Sequence, residues 1–288
     1  MAEISAADVK TLREKTGAGI MECKNALAET GGDFAKAEKL LKEKGLAAVE
    51  KRSGRAANEG KIFIKAREPG ASGSAAALVE LASETDFVAR NPEFIALGEA
   101  IAERVLEKGY TEPNEELNGM VMDLAAKIRE NMALKRVHTV KASSGEFLSS
   151  YIHGDGAIGV VVKAAAEKPE AFNDRELKDF VFTIALHVAA FNPMALDKTK
   201  IDQSWLKEQE DIFRKQMEQD EAMKGKPANV LENILKGKVS KFLKEICLMD
   251  QAYVKDEKMT VAQALSDAGK RFGVNLSITD FAYFKVGG

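Results

Sequence analysis

The sequence predicts an α+β protein, because segments with the periodicity of helices alternate with segments that have the periodicity of strands. Apolar residues recur at helical spacing over the first 45 residues, whereas residues 61–83 contain two strand-like runs. The order of a strand hairpin followed by a helix then recurs from residue 147. We therefore expect a three-helix N-terminal module, a two-part α+β core with antiparallel hairpins, and a protruding helical hairpin.

Residues 1–50 are predicted to form the three-helix module. Ser5 followed by Asp8 has the pattern of a capping box at the start of the first helix. Asp33 is a candidate N-cap for the third helix, and Gly45 is its predicted C-terminal stop. Helices this short bury only a small core. The pattern alone is equally typical of a tethered helical domain that carries no binding or catalytic site.

Two predicted α+β units make up the core, the first over residues 61–142 and the second over residues 143–201 and 247–288. Their similar order is typical of a duplication, although the residues themselves are too different to establish one. A connection at 69–74 joins the first two strands. The predicted strands span 61–65, 76–83, 147–153, 158–165 and 278–286, and the predicted helices span 92–108, 114–131, 174–191 and 260–272.

Residues 202–246 are predicted to form the helical hairpin. Trp205 and Ile212 mark the apolar face of its first helix, and Leu235 and Phe242 mark that of the returning helix. A helical hairpin packs along its length and can project from a core or pair with a second copy. Surplus apolar surface on this seam would favour self-association, so we expect a homodimer through the hairpin.

The charge balance argues against a protein that is held on nucleic acid by phosphate contacts. The net charge is −3 and the pI is about 5.9, whereas such binders usually carry a strong basic excess. A predicted linker at 51–60 does contain Lys51, Arg52 and Arg55. No direct nucleic-acid partner is expected, but a ribosome- or RNA-associated factor that uses this basic linker stays open as an alternative.

The sequence also predicts the cellular compartment. Cys23 and Cys247 stand far apart and form no CxxC or CxxH pair, so neither a zinc site nor a disulfide framework is indicated. No apolar run approaches the ~20 residues of a membrane helix, and the richest stretch, 180–191, is interrupted by His187. We expect a cytoplasmic protein with no membrane association.

A literal GxGxxG motif spans Gly154 to Gly159. In a dinucleotide site these glycines follow a strand and open a helix, whose N-terminus then meets the pyrophosphate. Here three valines, 160–162, follow the glycines and predict a second strand. The motif is therefore interpreted as a hairpin turn, and a small-molecule enzyme that uses this turn is the second alternative.

Other signs of catalysis or metal binding are missing from the sequence. His138, His153 and His187 are scattered and do not have metal-ligand spacing. There is no nucleophile elbow and no P-loop. We expect His138 and His187 to be packed or surface residues and His153, beside a turn, to be the better contact candidate. The prediction is that the protein is not an enzyme and has no catalytic residues, no metal and no cofactor.

Phe87 lies in the connection between a predicted strand and a predicted helix. A large aromatic residue in that position is costly unless it is buried or used in a contact. Composition alone favours an interpretation in which Phe87 folds back onto the core. The alternative is a role in binding a partner, and the residues by themselves leave both open.

Two longer motifs carry a resemblance to a known family. The segment 12–27 reads LREKTGAGIMECKNAL, and the segment 80–90 has Thr85-Asp86-Phe87-Val88 at its centre. Together they resemble the two signatures of bacterial elongation factor Ts, in the same order and at a similar separation. The likeness extends to residues 151–154 and 187–190 and to the hairpin, so it spans nearly the whole chain.

The resemblance implies a function in translation elongation during protein biosynthesis. Members of this family exchange guanine nucleotides on elongation factor Tu, the GTPase that delivers aminoacyl-tRNA to the ribosome. The resemblance implies that the N-terminal module is ubiquitin-associated-like and that the hairpin is a coiled coil used in dimer contacts. The expected outcome is disturbance of the partner's magnesium and phosphate site, followed by release of GDP.

The resemblance also implies which residues bind elongation factor Tu. Asp86 and Phe87 would enter between helices of the partner near its magnesium site, within a magnesium-dislocating segment formed by Thr85, Asp86, Phe87 and Val88. In the N-terminal module, the residues expected to touch the nucleotide-binding domain of the partner are Arg13, Ile20, Met21 and Lys24. Ile128 and His153 would support the contact made by Asp86 and Phe87, and Val254 would lie near another part of the partner.

Overall fold

The computed structural model describes residues 4–67 and 74–288, and over these residues it confirms the α+β class. The connection predicted at 69–74 lies almost wholly outside the described residues. The strands are β1 Glu59–Arg67, β2 Ser74–Ser83, β3 Met132–Ala142, β4 Glu146–His153, β5 Ile158–Ala166, β6 Ala252–Tyr253, β7 Asp256–Thr260 and β8 Leu276–Lys285. The helices are α1 Ala6–Thr16, α2 Ile20–Glu29, α3 Phe34–Arg52, α4 Asp86–Ala89, α5 Pro92–Lys108, α6 Glu115–Ile128, α7 Arg175–Phe191, α8 Gln203–Gln219, α9 Ala228–Ile246 and α10 Val261–Phe272.

Helices α1, α2 and α3 share a small apolar cluster at the N-terminus. Leu12, Cys23 and Leu27 are fully buried in it. The capping box predicted at the start of α1 is present, because Asp8 donates its amide to the Ser5 hydroxyl over 3.1 Å and accepts the Ser5 amide in return. These local signals set where the first helix begins.

The predicted end of α3 at Gly45 is wrong, because the helix continues to Arg52. A Cβ at Gly45 would lie 3.1 Å from the Cβ of Ala126 in α6. The glycine therefore allows two helices to approach closely and does not end one of them. Val49, one turn further along α3, is buried in the apolar cluster of the first sheet. The division after residue 50 stays a prediction, and it would cut α3 near its end.

The core contains two three-stranded antiparallel sheets, in the orders β1–β2–β3 and β4–β5–β8. Strand β3 is not predicted from the sequence, because basic residues interrupt its apolar pattern. One of them, Arg136, donates to the buried carboxylate of Glu80 on β2 over 2.6 Å. Its guanidinium also lies 4.5 Å from the ring centroid of Phe284 on β8. Short β6 and β7 are likewise absent from the predictions.

Helices cover one face of each sheet, and the two sheets contact each other on the other face. Helices α5 and α6 share a cluster with the first sheet, and α7 and α10 share one with the second. Between the sheets lie Ala76, Leu78, Val140 and Val161, which are nearly or fully buried. Because the two sheets pack directly on each other, the strand ends and connecting turns of both sheets are held in fixed positions relative to one another.

Helices α8 and α9 form the predicted hairpin. The Trp205 and Phe242 rings are 6.0 Å apart, and the Phe213 and Phe242 rings meet edge-on at 5.4 Å. Much of the seam is thus used within one chain, while Ile212 stays exposed. A homodimer through this hairpin stays a prediction.

Candidate partner-binding site

Phe87 is the most exposed of the large apolar side chains found in residues 4–67 and 74–288. Its side chain is 82% exposed, whereas the next two residues, Val88 and Ala89, are buried in the first core cluster. Val88 and Ala89 thus anchor the single helical turn α4 to the core, and Phe87 projects from the opposite side of that turn. The interpretation in which Phe87 folds back onto the core is wrong.

Hydrogen bonds hold the turn that carries Phe87, which we call the Phe87 turn (residues 85–89). Thr85 is its N-cap and accepts the Val88 amide over 3.4 Å. Thr85 also donates its amide and its hydroxyl to the Glu130 carboxylate, over 3.2 and 3.0 Å. Ser83 donates its hydroxyl to the Thr85 carbonyl over 2.9 Å. Phe87 therefore projects from a turn whose backbone is fixed before any partner arrives.

Asp86, beside Phe87, carries a carboxylate that is available for a contact. Among the described residues, 4–67 and 74–288, its ion-pair partner is Arg90, one helical turn along, over 3.2 Å. Both side chains are largely exposed, and an exposed pair of this kind contributes little to stability. The carboxylate can consequently exchange Arg90 for another positively charged or hydrogen-bonding group at low cost.

The turn between β4 and β5 lies against β1, close to the Phe87 turn. Lys61 on β1 forms a 2.6 Å ion pair with Asp155, and the Ile62 amide donates to the Gly156 carbonyl over 2.8 Å. The hydrogen bond from Lys61 lowers the pKa of Asp155, and the nearby charge of Arg90 lowers it further. His153 at the start of this turn is exposed and bonds Tyr151 over 2.8 Å.

The N-terminal candidates lie at the end of α1 and on the outer face of α2. Ile20 and Met21 are 57% and 62% exposed, and Arg13 and Lys24 are exposed as well. Such a pair of adjacent exposed apolar side chains is typical of a contact surface rather than of a packed helix. The buried residues of α2 point to the opposite side, into the N-terminal cluster.

Contacts through the end of α6 connect this surface to the Phe87 turn. Glu22 on α2 forms an ion pair with Arg129, which directly follows α6. The hydrogen bond from the Gly19 amide lowers the pKa of Glu22, with Arg129 contributing to the same effect. The next residue, Glu130, binds Thr85. Ile128, the half-buried last residue of α6, directly precedes Arg129 and packs on the first core cluster.

Val254 belongs to a different part of the structure. It lies in the turn between β6 and β7, is 37% exposed, and donates its amide to Nδ1 of His187 over 3.2 Å. His187 on α7 is fully buried and bonds Gln251 through Nε2 over 2.9 Å. His187 is thus a packed histidine, as predicted, and it supports the turn that presents Val254.

The burial of His187 predicts how stability depends on pH. Burial lowers the pKa of His187 from its usual 6.5, so the unfolded chain binds this proton more readily than the folded one. The free energy of unfolding should consequently fall as pH drops from 7.5 to 5.5, by at most ~1.4 kcal/mol per pH unit from this one group. Urea titrations at several pH values measure it. His187→Gln should flatten the curve over this range, and an unchanged slope would contradict the assignment.

The GxGxxG segment is a strand-turn-strand, as predicted. Strands β4 and β5 pair from Glu146↔Ala165 to His153↔Ile158, and the turn between them opens no helix. A Cβ at Gly159 would come within 2.4 Å of Ile62 on the other sheet. The glycines therefore serve the turn and the contact between sheets, and the small-molecule enzyme that was based on them loses its site.

Neither cysteine is available for chemistry in this structure. Both are buried, and burial raises the pKa of the Cys247 thiol to about 11. In residues 4–67 and 74–288, no group of three His, Cys, Asp or Glu side chains could hold a metal ion. Over the same residues, no helix combines the length and the apolar character that crossing a bilayer requires.

Comparison with known proteins assigns the chain to a family. The family described as Elongation factor TS matches residues 84–288. Elongation factor Ts of Treponema denticola is 47% identical, and that of Treponema pallidum strain Nichols is 46% identical, with 99% of each chain covered in both cases. The chain belongs to the elongation factor Ts family. Elongation factor Ts of Clostridium acetobutylicum is 39% identical over 99% of this chain and 92% of the relative.

Membership in the elongation factor Ts family makes the protein a translation elongation factor. The matched region begins at Glu84, so it contains the Phe87 turn. Three residues that hold this region in place, Arg129, Glu130 and Asn131, were not among the predicted site residues. Their partners stand between 45 and 107 positions away, and no local sequence signal reports pairing over such distances.

Proposed function

We propose that the protein is a guanine-nucleotide exchange factor that binds elongation factor Tu in its GDP form and promotes release of the nucleotide. The observation that carries this proposal is the 82% exposure of Phe87 on a turn whose other residues are anchored. An exposed aromatic side chain on a preordered turn can enter a partner without the cost of ordering the turn on binding. Family membership supplies the identity of the partner.

Phe87 and Asp86 are the residues to which we assign the disturbance of the nucleotide site. A GTPase holds GDP through a phosphate-cradling loop and magnesium. Phe87 would enter between helices of the partner, while the Asp86 carboxylate would compete for groups that support the magnesium ion. Thr85 and Val88 contribute by holding the turn, Thr85 as its cap and Val88 through its buried side chain.

The remaining contacts would provide affinity on either side of Phe87. Ile20 and Met21 would dock on the nucleotide-binding domain of the partner, together with the cations Arg13 and Lys24. His153 would contact it from the β4–β5 turn, with Ile128 as support. Val254, on the turn held by His187, would reach another part of the partner.

The energetics of exchange fit a binding protein without a chemical step. A thousandfold faster release requires only about 4 kcal/mol off the dissociation barrier, at ~1.4 kcal/mol per decade. Burial of one phenylalanine contributes ~1.5–3 kcal/mol, so Phe87 and a few neighbours suffice. By linkage, GDP must weaken factor binding by the same factor by which the factor weakens GDP binding.

The alternative of an RNA-associated factor finds less support. Of the three basic residues that suggested it, Arg52 donates to the Arg129 carbonyl over 3.0 Å, and Arg55 lies 3.5 Å from Glu84. Both side chains therefore have a structural use at the junction of α3, α6 and the Phe87 turn. Lys51 is exposed and forms no ion pair with the described residues, 4–67 and 74–288.

The test is release of a fluorescent GDP analogue from elongation factor Tu of the same organism. We expect the release rate to rise with factor concentration and to reach at least a hundredfold acceleration, because the factor is proposed to lower the dissociation barrier. An unrelated GTPase serves as the control and should be unaffected. A release rate that does not change at any factor concentration would refute the proposed function.

A further inference from the structure

The residues Arg129–Asn131, which we call the anchor turn, follow α6 and bind three separate segments of the chain. Arg129 has a left-handed backbone conformation, with φ at 69°. That conformation is uncommon for a residue with a side chain and indicates that the surrounding contacts fix the turn. Its three residues together contact three neighbouring segments.

The first neighbour is the Phe87 turn. Both carboxylate oxygens of Glu130 accept the Thr85 hydroxyl, over 3.0 and 3.1 Å, and one of them also accepts the Thr85 amide over 3.2 Å. A carboxylate that accepts two donors from one residue fixes both the position and the orientation of that residue. Because Thr85 caps α4, the Glu130 carboxylate sets the direction in which Phe87 projects.

The second neighbour is the N-terminal module. The Arg129 guanidinium forms an ion pair with Glu22, one residue after Met21. The same Glu22 carboxylate accepts the Gly19 amide over 2.8 Å and so closes the start of α2. This half-exposed ion pair thus joins the start of α2 to the residue that precedes Glu130, and the close packing of Gly45 on Ala126 holds α3 of the same module against α6.

The third neighbour is the end of α3 and the chain that leaves it. The buried Asn131 side chain donates to the carbonyls of Ser53 and Arg55 over 3.3 and 2.6 Å. The backbone amide of Asn131 donates to the Glu84 carboxylate over 2.6 Å. Since Glu84 directly precedes Thr85, the anchor turn binds both the first residue of the Phe87 turn and the residue before it.

We propose that the anchor turn fixes the position of Phe87 relative to Ile20 and Met21. Glu130 is the positioning residue for Phe87. The Glu22–Arg129 pair links the anchor turn to the N-terminal helices. The proposal rests on the proposed exchange function. Two patches held at one fixed spacing can dock together without a separate ordering cost for the second. Loosening the anchor turn should therefore slow the release of GDP from the partner, although no atom proposed to touch the partner is removed.

The first experiment uses the isolated full-length protein and hydrogen exchange of peptides covering residues 84–91. Glu130→Gln keeps the shape of the side chain and one acceptor oxygen, but it removes the negative charge and replaces one of the two oxygens that accept the Thr85 hydroxyl with an amide donor. We expect exchange in this segment to become at least tenfold faster. Glu116→Gln is the matched control, because it removes an acceptor of Arg104 and Tyr110 at the other end of α6, and it should leave the segment unchanged. Equal protection in Glu130→Gln and wild type overturns the proposal.

The second experiment is a double-mutant cycle on the GDP-release rate with elongation factor Tu. Glu130→Gln should slow factor-stimulated release roughly tenfold, or ~1.4 kcal/mol. In a Phe87→Ala background it should cause no further slowing, because a positioning residue acts only through the side chain that it positions. A general structural defect would instead slow both backgrounds equally, and that additive result overturns the assignment of Glu130.

The third experiment tests the link to the N-terminal helices with two geometry-conserving variants. Glu22→Gln keeps an acceptor for the Gly19 amide, and Arg129→Asn keeps a residue that tolerates the left-handed conformation. Each should slow release severalfold, and the double variant should be no slower than either single one. Additive effects overturn the link. If wild-type protein fails to accelerate release, the proposed function fails, while hydrogen exchange still decides whether the anchor turn holds residues 84–91.

Discussion

Replacing Phe87 with alanine should slow factor-stimulated GDP release by ten- to a hundredfold while leaving the stability of the protein nearly unchanged. The side chain is 82% exposed and so contributes little to the folded state. Surface substitutions of this kind usually change the free energy of unfolding by less than ~1 kcal/mol. The loss in the complex corresponds to the ~1.5–3 kcal/mol that a buried phenylalanine contributes.

Phe94 provides the matched contrast seven residues along the chain. It is fully buried in the first core cluster, with its ring centroid 6.2 Å from that of Phe63. Phe94→Ala should therefore cost about 3–5 kcal/mol of stability. Thermal or urea melts of the two isolated variants, together with stopped-flow GDP release, separate the roles. A destabilised Phe87→Ala protein whose folded fraction exchanges at the wild-type rate would assign Phe87 to the fold instead of to the partner.

Substituting Gly159 with alanine should destabilise the contact between the two sheets, by about 1–3 kcal/mol if the core behaves as other overpacked cores do. The new Cβ would lie 2.4 Å from Cγ2 of Ile62, so the Ile62 side chain or one of the two sheets must shift. Ile62→Ala alone should cost about 2–5 kcal/mol, because it leaves a cavity. In the double variant the added methyl group fills part of that cavity.

The double variant should therefore lose less free energy of unfolding than the two single variants lose together, by at least about 1 kcal/mol. Urea titration of all four proteins gives this coupling energy. Gly119→Ala is the control: a Cβ there meets nothing within 4 Å, and the residue lies within α6. It should stabilise the protein by about 0.5–1 kcal/mol. If the losses at Gly159 and Ile62 simply add, the glycine has another role.

Elements with strong local signals were predictable from the sequence. Helix α5 has the predicted bounds, because Asn91 caps it, a proline begins it, and Gly109 ends it in a left-handed conformation. These groups act within one turn of the helix end, so a single sequence contains them all. The same holds for Asp174, which caps α7 through two backbone amides.

Features that depend on distant residues were not predictable. Gly45 has the local pattern of a helix end, but its role is decided by Ala126, which packs against it. Strand β3 is decided by its pairing with β2, in which Arg136 finds the buried carboxylate of Glu80. The exposure of Phe87 could be suspected from its place between strand and helix, whereas its support by Glu130 could not. Tertiary partners of this kind override local propensity.

The order of the second sheet has a consequence for synthesis on the ribosome. Strand β5 is its central strand, and the neighbour on one side is β8, at the C-terminus of the sequence. At ~5–20 residues per second, the roughly one hundred residues between these strands take about 5–20 s to translate. Meanwhile one edge of β5 has no partner and is open to pairing with other chains. All three strands of the first sheet have been synthesised once Ala142 is added, so this sheet can form before β8 is made. It then offers the nascent β5 an apolar surface on which to pack.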